Sequence, residues 1–369
     1  MEGSNLVSAS TIAWLGAGLG ALFGFVGQRS HFCTMGAVSD ILAMGSWTRM
    51  RMWLMAIGVA LLASGSMHLA GWIDLSKSIY TAPRVPWLAH LVGGGLFGVG
   101  MTLAGGCGSK TLMRLGSGNL KSIVVFAFVA ISAYMTLKGL FGLVRVNLLE
   151  PFAWQLGSAQ DLPSLLAAGT GLPVRTLWLA LMLAIGGGLM AFALADRDFR
   201  RPEPLVSALL IGLLAAAGWA ITGHVGYIAE HPETLEEAFV GTNSGRAESL
   251  SFVAPYAYTL ELLMLWSDTS RTVTFGIATA LGVVAGAAAA AWGRGEFRLE
   301  GFRQTSDLAR HLIGAVLMGF GGVTAMGCTI GQGLSGLSTL SLGAFITFAA
   351  IIAGCVATLK WEYARAMRD

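Results

Sequence analysis

The chain has 369 residues, of which 12% are charged and 55% are hydrophobic, and its mean hydropathy is +0.69. A soluble domain uses about a quarter of its residues as charges to cover its surface, so these totals exclude a soluble globular protein. The net charge of +3, with its basic residues dispersed, excludes a nucleic-acid binder, a disordered chain and a disulfide scaffold. The composition therefore predicts an all-α polytopic membrane protein embedded in a lipid bilayer.

Nine apolar runs are long enough to cross a bilayer as helices, for which about 20 residues are needed. The predicted spans are 9–27, 51–72, 88–104, 122–143, 175–195, 205–221, 271–293, 308–326 and 341–359. The amino terminus lacks the basic region and cleavage site of a signal peptide, so the first span is expected to be retained. An odd number of spans places the two termini on opposite sides of the membrane.

Lysine and arginine divide unequally between the alternating loops. One set of loops contains sixteen of them: Arg29, Arg49, Arg51, Lys110, Arg114, Lys121, Arg197, Arg200, Arg201, Arg294, Arg298, Arg303, Arg310, Lys360, Arg365 and Arg368. The other set contains six, with Lys138 left inside a span: Lys77, Arg84, Arg145, Arg175, Arg246 and Arg271. Since basic residues favour the cytoplasmic side, the amino terminus is predicted outside and the carboxyl terminus in the cytoplasm. The long loop 222–270 then lies outside, and its part 250–266 is apolar enough to return into the membrane.

An internal repeat is the most informative feature of the sequence. HLVGGGLFGVGMTLAGGCGSKTLMRLGSG, from His90, aligns without gaps on HLIGAVLMGFGGVTAMGCTIGQGLSGLST, from His311, at an offset of 221 residues. Cys107 aligns with Cys328. In the nine-span topology the two copies run in opposite directions, which predicts inverted repeats with halves 1–195 and 196–369. Transporters of this type place their substrate site between the halves.

Each copy contains a break that interrupts its span at a cysteine and is followed by a short segment, 108–115 or 330–337. Such breaks predict short re-entrant half-helices, because unwound backbone at membrane depth is tolerated only beside protein or a polar cavity. The free N–H groups of a half-helix would offer donors to an anion. The candidate site residues at the breaks are Gly106, Gly108, Ser109, Gly327, Thr329 and Gln332. Much of the glycine excess, 51 residues, is attributed to these breaks rather than to close helix packing.

The four cysteines are not in CxxC spacing and have no histidine cluster beside them, so no metal site and no cofactor is predicted. Cys355 lies in an apolar run and is expected to act as a small buried hydrophobe. Cys33, Cys107 and Cys328 lie in Gly-rich segments with polar flanks. A thiol is a weak hydrogen-bond donor and a soft acceptor, so three thiols along one narrow path would suit a soft sulfur species.

Two basic residues lie beside the thiols. Arg29 near Cys33 is either an ordinary cytoplasmic anchor or a fixed charge of the path, and Lys110 beside Cys107 has the same two interpretations. His90 and His311, which open the repeated spans, are expected to be interfacial anchors.

Three segments resemble the signature segments of the YeeE/YedE family of bacterial inner-membrane proteins. They are FGFVGQRSHFC at 23–33, GGGLFGVGMTLAGGCGS at 93–109 and LMGFGGVTAMGCTIGQGLSG at 317–336. SLSFVAPYAYTLELLM at 249–264 is also similar to that family, so the resemblance covers nearly the whole chain. Met326 departs from the family pattern, because it interrupts the AGGC sequence in the second copy.

The resemblance implies uptake of thiosulfate through an hourglass-shaped fold of inverted repeats, with Cys33, Cys107 and Cys328 as the functional thiols. It also implies a cytoplasmic sulfur-carrier (TusA-like) or rhodanese partner that receives the sulfur. The family includes members linked to other sulfur or selenium compounds, so the substrate stays open within that class. No GxxxxGK[ST] motif occurs, and the chain itself is not expected to be a primary pump.

Two other classes of function stay open. A membrane-embedded sulfurtransferase or thiol redox protein would need an activated thiolate near a cation, which Cys33 near Arg29 and Cys107 near Lys110 provide loosely. A scaffold for cytoplasmic sulfur-handling partners would use loop 294–311 as its docking segment. The expectation is a transporter and not an enzyme.

Overall fold

Helices make up almost all of the secondary structure in the computed structural model, which describes residues 8–231, 235–302 and 304–367. Arg303 and Arg368, two of the counted basic residues, lie outside these ranges. The first six helices are α1 (Ala9–Arg29), α2 (Thr34–Met44), α3 (Thr48–Leu69), α4 (Trp87–Leu103), α5 (Gly108–Gly116) and α6 (Lys121–Lys138).

A middle group of helices connects this part to the second half of the chain. It consists of α7 (Leu140–Val144), a π-helical turn at Arg145–Leu149, α8 (Leu162–Thr170), α9 (Val174–Leu181), a π-helical turn at Met182–Gly186 and α10 (Gly187–Leu194). The second half contains α11 (Pro202–Ala220), a π-helical turn at Ile221–Val225, α12 (Ala254–Met264), α13 (Phe275–Gly293), α14 (Thr305–Thr324), a π-helical turn at Gly331–Gly336, a 3-10 turn at Leu337–Thr339 and α15 (Leu342–Ala366).

Eight helical stretches in the described ranges are long and apolar enough to cross a membrane, and they coincide with eight of the nine predicted spans. The ninth, predicted at 308–326, is helix α14, which begins with the polar residues Thr305, Ser306 and Asp307. The predicted all-α polytopic membrane protein is confirmed. Lys138, predicted inside a span, is the last residue of α6, and its ammonium forms an ion pair with Glu261 at 2.6 Å.

Short strands fix the loops between these helices. Strand β1 (Arg84–Val85) pairs antiparallel with β2 (Trp154–Gln155), and β3 (Tyr227–Ile228) pairs antiparallel with β4 (Ala238–Phe239). Both pairs lie in loops that the charge count predicts outside. They hold the loop after α3 against the middle helices and fold the segment after α11 back on itself.

Ion pairs between described residues join groups that belong to the same predicted set of loops. In the predicted inner set, Lys121 pairs with Asp307 at 2.7 Å and Arg51 with Asp196 at 3.3 Å. In the predicted outer set, Glu261 forms an ion pair with Arg271 at 3.3 Å, in addition to its ion pair with Lys138. Ion pairs within each set, and not between the sets, are expected if successive loops alternate between the two ends of the helical bundle.

The two repeated helices, α4 and α14, cross at glycines. A Cβ atom built on Gly100 would lie 2.6 Å from the Gly314 carbonyl oxygen, and one built on Gly314 would lie 2.6 Å from the Gly100 oxygen. Gly93 faces Gly321 in the same way, at 2.8 and 2.5 Å. The repeat offset of 221 residues maps Gly93 onto Gly314 and Gly100 onto Gly321, so each of the two contacts is the repeat equivalent of the other. The helices are therefore antiparallel, and their contacts follow a local two-fold axis.

Glycines also lie between other helix pairs. Gly20 and Gly24 of α1 face backbone carbonyls of α13, and Gly282 and Gly286 of α13 face backbone of α1. A side chain at any of these positions would clash with the backbone of the neighbouring helix, which is itself packed within the bundle. The attribution of the glycine excess mainly to the broken helices was therefore wrong, since close helix packing uses a large share of it.

We expect Gly100→Leu to destabilise the bundle. The new side chain would meet the α14 backbone, and overpacking of this kind costs about 1–3 kcal/mol or more. The measurement is the thermal unfolding midpoint of the purified protein in detergent. Gly95→Leu on the same helix is the matched control, because a Cβ at Gly95 has no atom within 4 Å. An equal effect of both changes would contradict the crossing.

Candidate functional site

Three helices end in the same Schellman motif, and a cysteine follows each of them. The residues in the left-handed conformation are His31 after α1, Gly105 after α4 and Met326 after α14, with φ of 52°, 71° and 58°. The next amide N–H donates to the carbonyl five residues earlier, over 3.1, 2.8 and 2.8 Å, and so satisfies a helix-end carbonyl. Cys33, Cys107 and Cys328 come immediately after these amides. The predicted breaks in the repeated spans are thus confirmed, and α1 ends in a third one.

The sulfurs of Cys33 and Cys328 accept hydrogen bonds from backbone at the start of the next helical segment. Gly36 N–H donates to Cys33 Sγ over 3.5 Å, and Gly331 N–H donates to Cys328 Sγ over 3.4 Å. Each sulfur therefore serves as the side-chain cap of a helix start. Because the sulfur acts as acceptor in these bonds, its S–H proton is left to donate elsewhere.

Cys107 connects the two repeats. Its sulfur lies 3.3 Å from the Ser109 hydroxyl, and the Thr329 hydroxyl of the other copy is nearby. The Cys33 thiol is a further neighbour. Cys33, Cys107 and the residue after Cys328 thus lie close together, and a path along the three thiols stays a prediction.

The segment before α12 lies between the two repeated breaks. The Phe252 N–H contacts the Cys328 sulfur, and the Tyr256 hydroxyl donates to the Gly108 carbonyl over 2.5 Å. The Ser335 hydroxyl donates to the Leu250 carbonyl over 2.8 Å. The predicted return of 250–266 into the bundle agrees with these contacts, and the segment supplies one wall beside Cys328.

All three thiols are closed off from solvent in this conformation. Cys33 is 6% exposed, Cys107 1% and Cys328 0%. Gly106, Gly108, Ser109, Gly327, Thr329 and Gln332, the other predicted site residues, are buried as well. The Gln332 amide donates to the Ala325 carbonyl over 2.6 Å, so it ties the second half-helix to the end of α14.

A cavity of about 250 Å³ opens toward the predicted outer face and ends next to Cys328. Its walls include Met326 and Gly327 of the second break, Ser251 and Tyr258 near α12, and Glu248. Arg145, from the π-helical turn after α7, also lines it and forms an ion pair with Glu150. The cavity thus reaches Gly327, the residue that precedes the buried Cys328.

Two hydroxyls lie between this cavity and Cys328. A Cβ built on Gly331 would lie 2.7 Å from the Ser251 hydroxyl and 3.2 Å from the Tyr80 hydroxyl. Tyr80 is 3% exposed, and its hydroxyl lies near that of Ser251 without forming a hydrogen bond of normal geometry to any described residue. Sequence reasoning missed both residues, because they lie in loop segments without a repeat partner.

A positive cluster lies on the other side of the thiols. Lys110 is close to Arg49 and Arg114 and within electrostatic range of both Cys33 and Cys107. Arg29, by contrast, is exposed at the end of α1, with its guanidinium 5.6 Å from the centre of the Phe25 ring. Lys110 is therefore placed beside the thiols, whereas Arg29 lies on the surface.

Buried polar atoms without a hydrogen-bond partner concentrate at the cysteine segments. Five of the nine such atoms among the described residues lie there: Gln28 Oε1 and Thr34 Oγ1 around Cys33, and Thr324 Oγ1, Thr329 Oγ1 and Gln332 Oε1 around Cys328. An unsatisfied buried polar atom costs about 1–3 kcal/mol, so such atoms call for a physical reason. A polar ligand that passes between them is one such reason. Gln28 and Thr34 were not among the predicted site residues.

Cys355 and His90 lie outside the site, and the sequence made a prediction for each of them. Cys355 is fully buried in α15, where its sulfur accepts a hydrogen bond from the Thr102 hydroxyl over 3.3 Å, as expected of a packing residue. His90 was expected at the interface, and this was wrong. It is 2% exposed, and its Nδ1 lies 2.7 Å from the Thr347 hydroxyl of α15.

The fold and the site define a polytopic membrane protein whose thiols lie at helix breaks, between a cavity on the predicted outer side and a basic cluster on the predicted inner side. Residues 29–357 match the model of the family described as sulphur transport, and the chain belongs to this family, that of the YeeE/YedE proteins. The thiosulfate transporter TsuA of Escherichia coli K12 is 30% identical over 95% of this chain and 94% of its own. The thiosulfate transporter TsuA of Spirochaeta thermophila is 25% identical over 92% and 96%.

We expect Met326→Gly to stabilise the second break. Met326 has a positive φ of 58°, which is strained for a residue with a side chain by about 1 kcal/mol, and its side chain is 40% exposed. The thermal unfolding midpoint should therefore rise. Gly105→Met, the reciprocal change in the first copy, should lower it. A fall with Met326→Gly would contradict the strain.

Proposed function

We propose that the chain transports thiosulfate, or a related sulfur anion, from the periplasm across the bacterial inner membrane into the cytoplasm. The observation that carries the proposal is the stack of three thiols at helix breaks between the outer cavity and the inner basic cluster. The names of the two relatives support thiosulfate as the substrate. The charge distribution of the loops supports a periplasmic amino terminus and a cytoplasmic carboxyl terminus.

The ion enters the outer cavity and meets Cys328 first. Its oxygen atoms accept hydrogen bonds from Tyr80 and Ser251, while its terminal sulfur accepts the Cys328 S–H. Tyr80 is suited to this role because its buried hydroxyl lies beside that of Ser251 and forms no hydrogen bond of normal geometry to any described residue. The phenol and the thiol replace water around the anion without adding a fixed positive charge that would hold it.

The ion then passes to Cys107 and Cys33. Contact of the Cys107 sulfur with both Thr329 and Cys33 supports direct transfer between successive thiols, each of which binds weakly. Ser109 and the N–H groups around Gly106, Gly108 and Gly327 line this part of the path. Gln332 stabilises the conformation of the second break. Lys110 then draws the anion toward the cytoplasmic side, where its charge combines with those of Arg49 and Arg114.

Two inverted halves, 1–195 and 196–369, build this path and give it an hourglass shape. Support comes from the contacts of α4 with α14, which the 221-residue offset exchanges. Because the thiols are almost fully buried, transport requires a local rearrangement that opens the path beside Cys328. A TusA-like sulfur carrier or a rhodanese on the cytoplasmic side would accept the sulfur, and the exposed basic residue Arg29 lies on that face.

Cys107→Ala and Cys328→Ala are each expected to lower thiosulfate uptake by at least about tenfold, the loss of one hydrogen bond to a charged group. Uptake of labelled thiosulfate is measured in proteoliposomes that contain only this chain. Cys355→Ala is the matched control, because Cys355 is a buried thiol that packs against Thr102, and its uptake should stay close to that of the wild type.

Full uptake by both path variants would contradict the thiol contacts. The sulfurtransferase alternative predicts a different result, namely a persulfide on Cys33, Cys107 or Cys328 after incubation with thiosulfate. The intact mass of the protein distinguishes the two functions. A transported ion leaves the mass unchanged, and a covalently transferred sulfur adds to it.

Tyr80→Phe is expected to raise the KM for thiosulfate by about tenfold, because one hydrogen bond to a charged ligand contributes about 1.5 kcal/mol. The ring still fills its buried place, so the unfolding midpoint should change little. Tyr134→Phe on α6 is the control, since Tyr134 packs against the core away from the cavity. An unchanged KM in Tyr80→Phe would remove Tyr80 from the path.

A further inference from the structure

One acidic residue lies in the wall of the outer cavity, on the proposed path of an anion. Glu248 is half-buried there. Its carboxylate accepts a hydrogen bond from the Ser244 hydroxyl over 3.0 Å and contacts the Asn243 N–H. A negative charge at this point would repel the substrate, so the position of Glu248 needs an explanation.

Three other acids in the predicted outer loops have cationic partners. Glu150 pairs with Arg145, Glu237 with Lys77, and Glu261 with Lys138 and Arg271. Glu248 differs from them. Among the described residues, no lysine or arginine side chain forms an ion pair with it.

Each element around Glu248 contributes neutral or already engaged groups. Tyr258 of α12 and Tyr80 of the loop after α3 are within electrostatic range, and Glu261 acts on Tyr258. Arg145, on the other wall, is engaged by Glu150, and Arg246 is exposed to solvent. Loss of water around the carboxyl group raises the pKa of Glu248 to about 7, while the Ser244 hydroxyl opposes this rise.

The Glu248 backbone is fixed, so the carboxyl group has little freedom to leave the cavity. Its N–H donates to the Thr222 hydroxyl over 3.1 Å, and that hydroxyl donates in turn to the Glu248 carbonyl. The next residue, Ser249, donates from its hydroxyl to the Ala215 carbonyl over 2.6 Å. Protonation is therefore the simple way to remove the negative charge.

We propose that Glu248 is a proton-binding residue that controls anion entry: its neutral form lets the sulfur anion pass toward Cys328, and its ionised form repels it. This inference rests on the proposed transport function and adds its regulation. The sign follows from the charges. As the pH falls, Glu248 becomes neutral, the repulsion disappears and uptake rises.

The test is thiosulfate uptake into proteoliposomes between pH 6 and pH 8, with the same buffer on both sides so that no pH gradient drives the ion. Thiosulfate stays doubly charged over this range. For a group that titrates near pH 7, the neutral fraction falls from about 90% to about 10%, so wild-type uptake should fall by roughly tenfold.

Glu248→Gln keeps the shape and removes the charge. Its uptake should stay independent of pH, at the level of the wild type at pH 6. Glu237→Gln, which changes an outer acid paired with Lys77 away from the cavity, is the matched control and should keep the wild-type profile. Ser244→Ala removes the hydrogen bond that favours the ionised form, so the midpoint of its uptake profile should move to higher pH.

The possible failures are distinguishable. If Glu248→Gln keeps the wild-type fall in uptake, or is inactive at every pH while its unfolding midpoint is unchanged, the inference is overturned and transport stands. An unmoved midpoint in Ser244→Ala, which tests the idea should Glu248→Gln not fold, also overturns it. No uptake by the wild type at any pH would overturn the transport proposal and this inference with it.

Discussion

Every polar backbone group at membrane depth needs a partner, and this requirement decides where the helices of the protein can break. The three breaks meet it in one way. A Schellman motif satisfies the carbonyl groups that the ending helix leaves free, and in two of the breaks a cysteine sulfur accepts an N–H group of the segment that follows. The residues that make the breaks stable are thus the same residues that present thiols to the interior. Folding and the proposed transport depend on the same atoms.

The crossing of α4 and α14 sets the position of two of these breaks. Gly100 and Gly314 let the backbones approach, and the antiparallel contact places the end of each helix beside the start of the other. The chain segments that follow the two breaks then bring Cys107 near Thr329. A larger residue at the crossing would push the helices apart and loosen the bundle that holds both segments.

Apolar runs and the repeat were sufficient to predict the helical architecture and the two broken spans, and the position of the cysteines predicted that thiols lie at those breaks. These features depend on local composition and on identity between copies, which a sequence displays directly. Tyr80 and Glu248 were not predictable, because they come from loops whose path depends on tertiary contacts such as those of Thr222. His90 was misplaced for the same reason. Its partner, Thr347, is distant in the sequence, and only the packing of α15 on α4 buries the pair.

The backbone of the site is close to symmetric, but its charges are not. Both repeated breaks have the same backbone hydrogen bonds, at positions related by the offset of 221 residues. The cavity on the predicted outer side, however, is lined by Glu248, which has no ion pair among the described residues, and by Arg145, which is paired with Glu150. The opposite side of the thiols contains Lys110 near Arg49 and Arg114. A pseudo-symmetric path alone would treat its two ends alike. In the proposed transporter the electrostatic difference between the two ends therefore comes from side chains that the two copies do not share. Lys110 and Arg114 lie in the first copy, where the second has Gly331 and Ser335, and Glu248 lies in a loop outside the repeat.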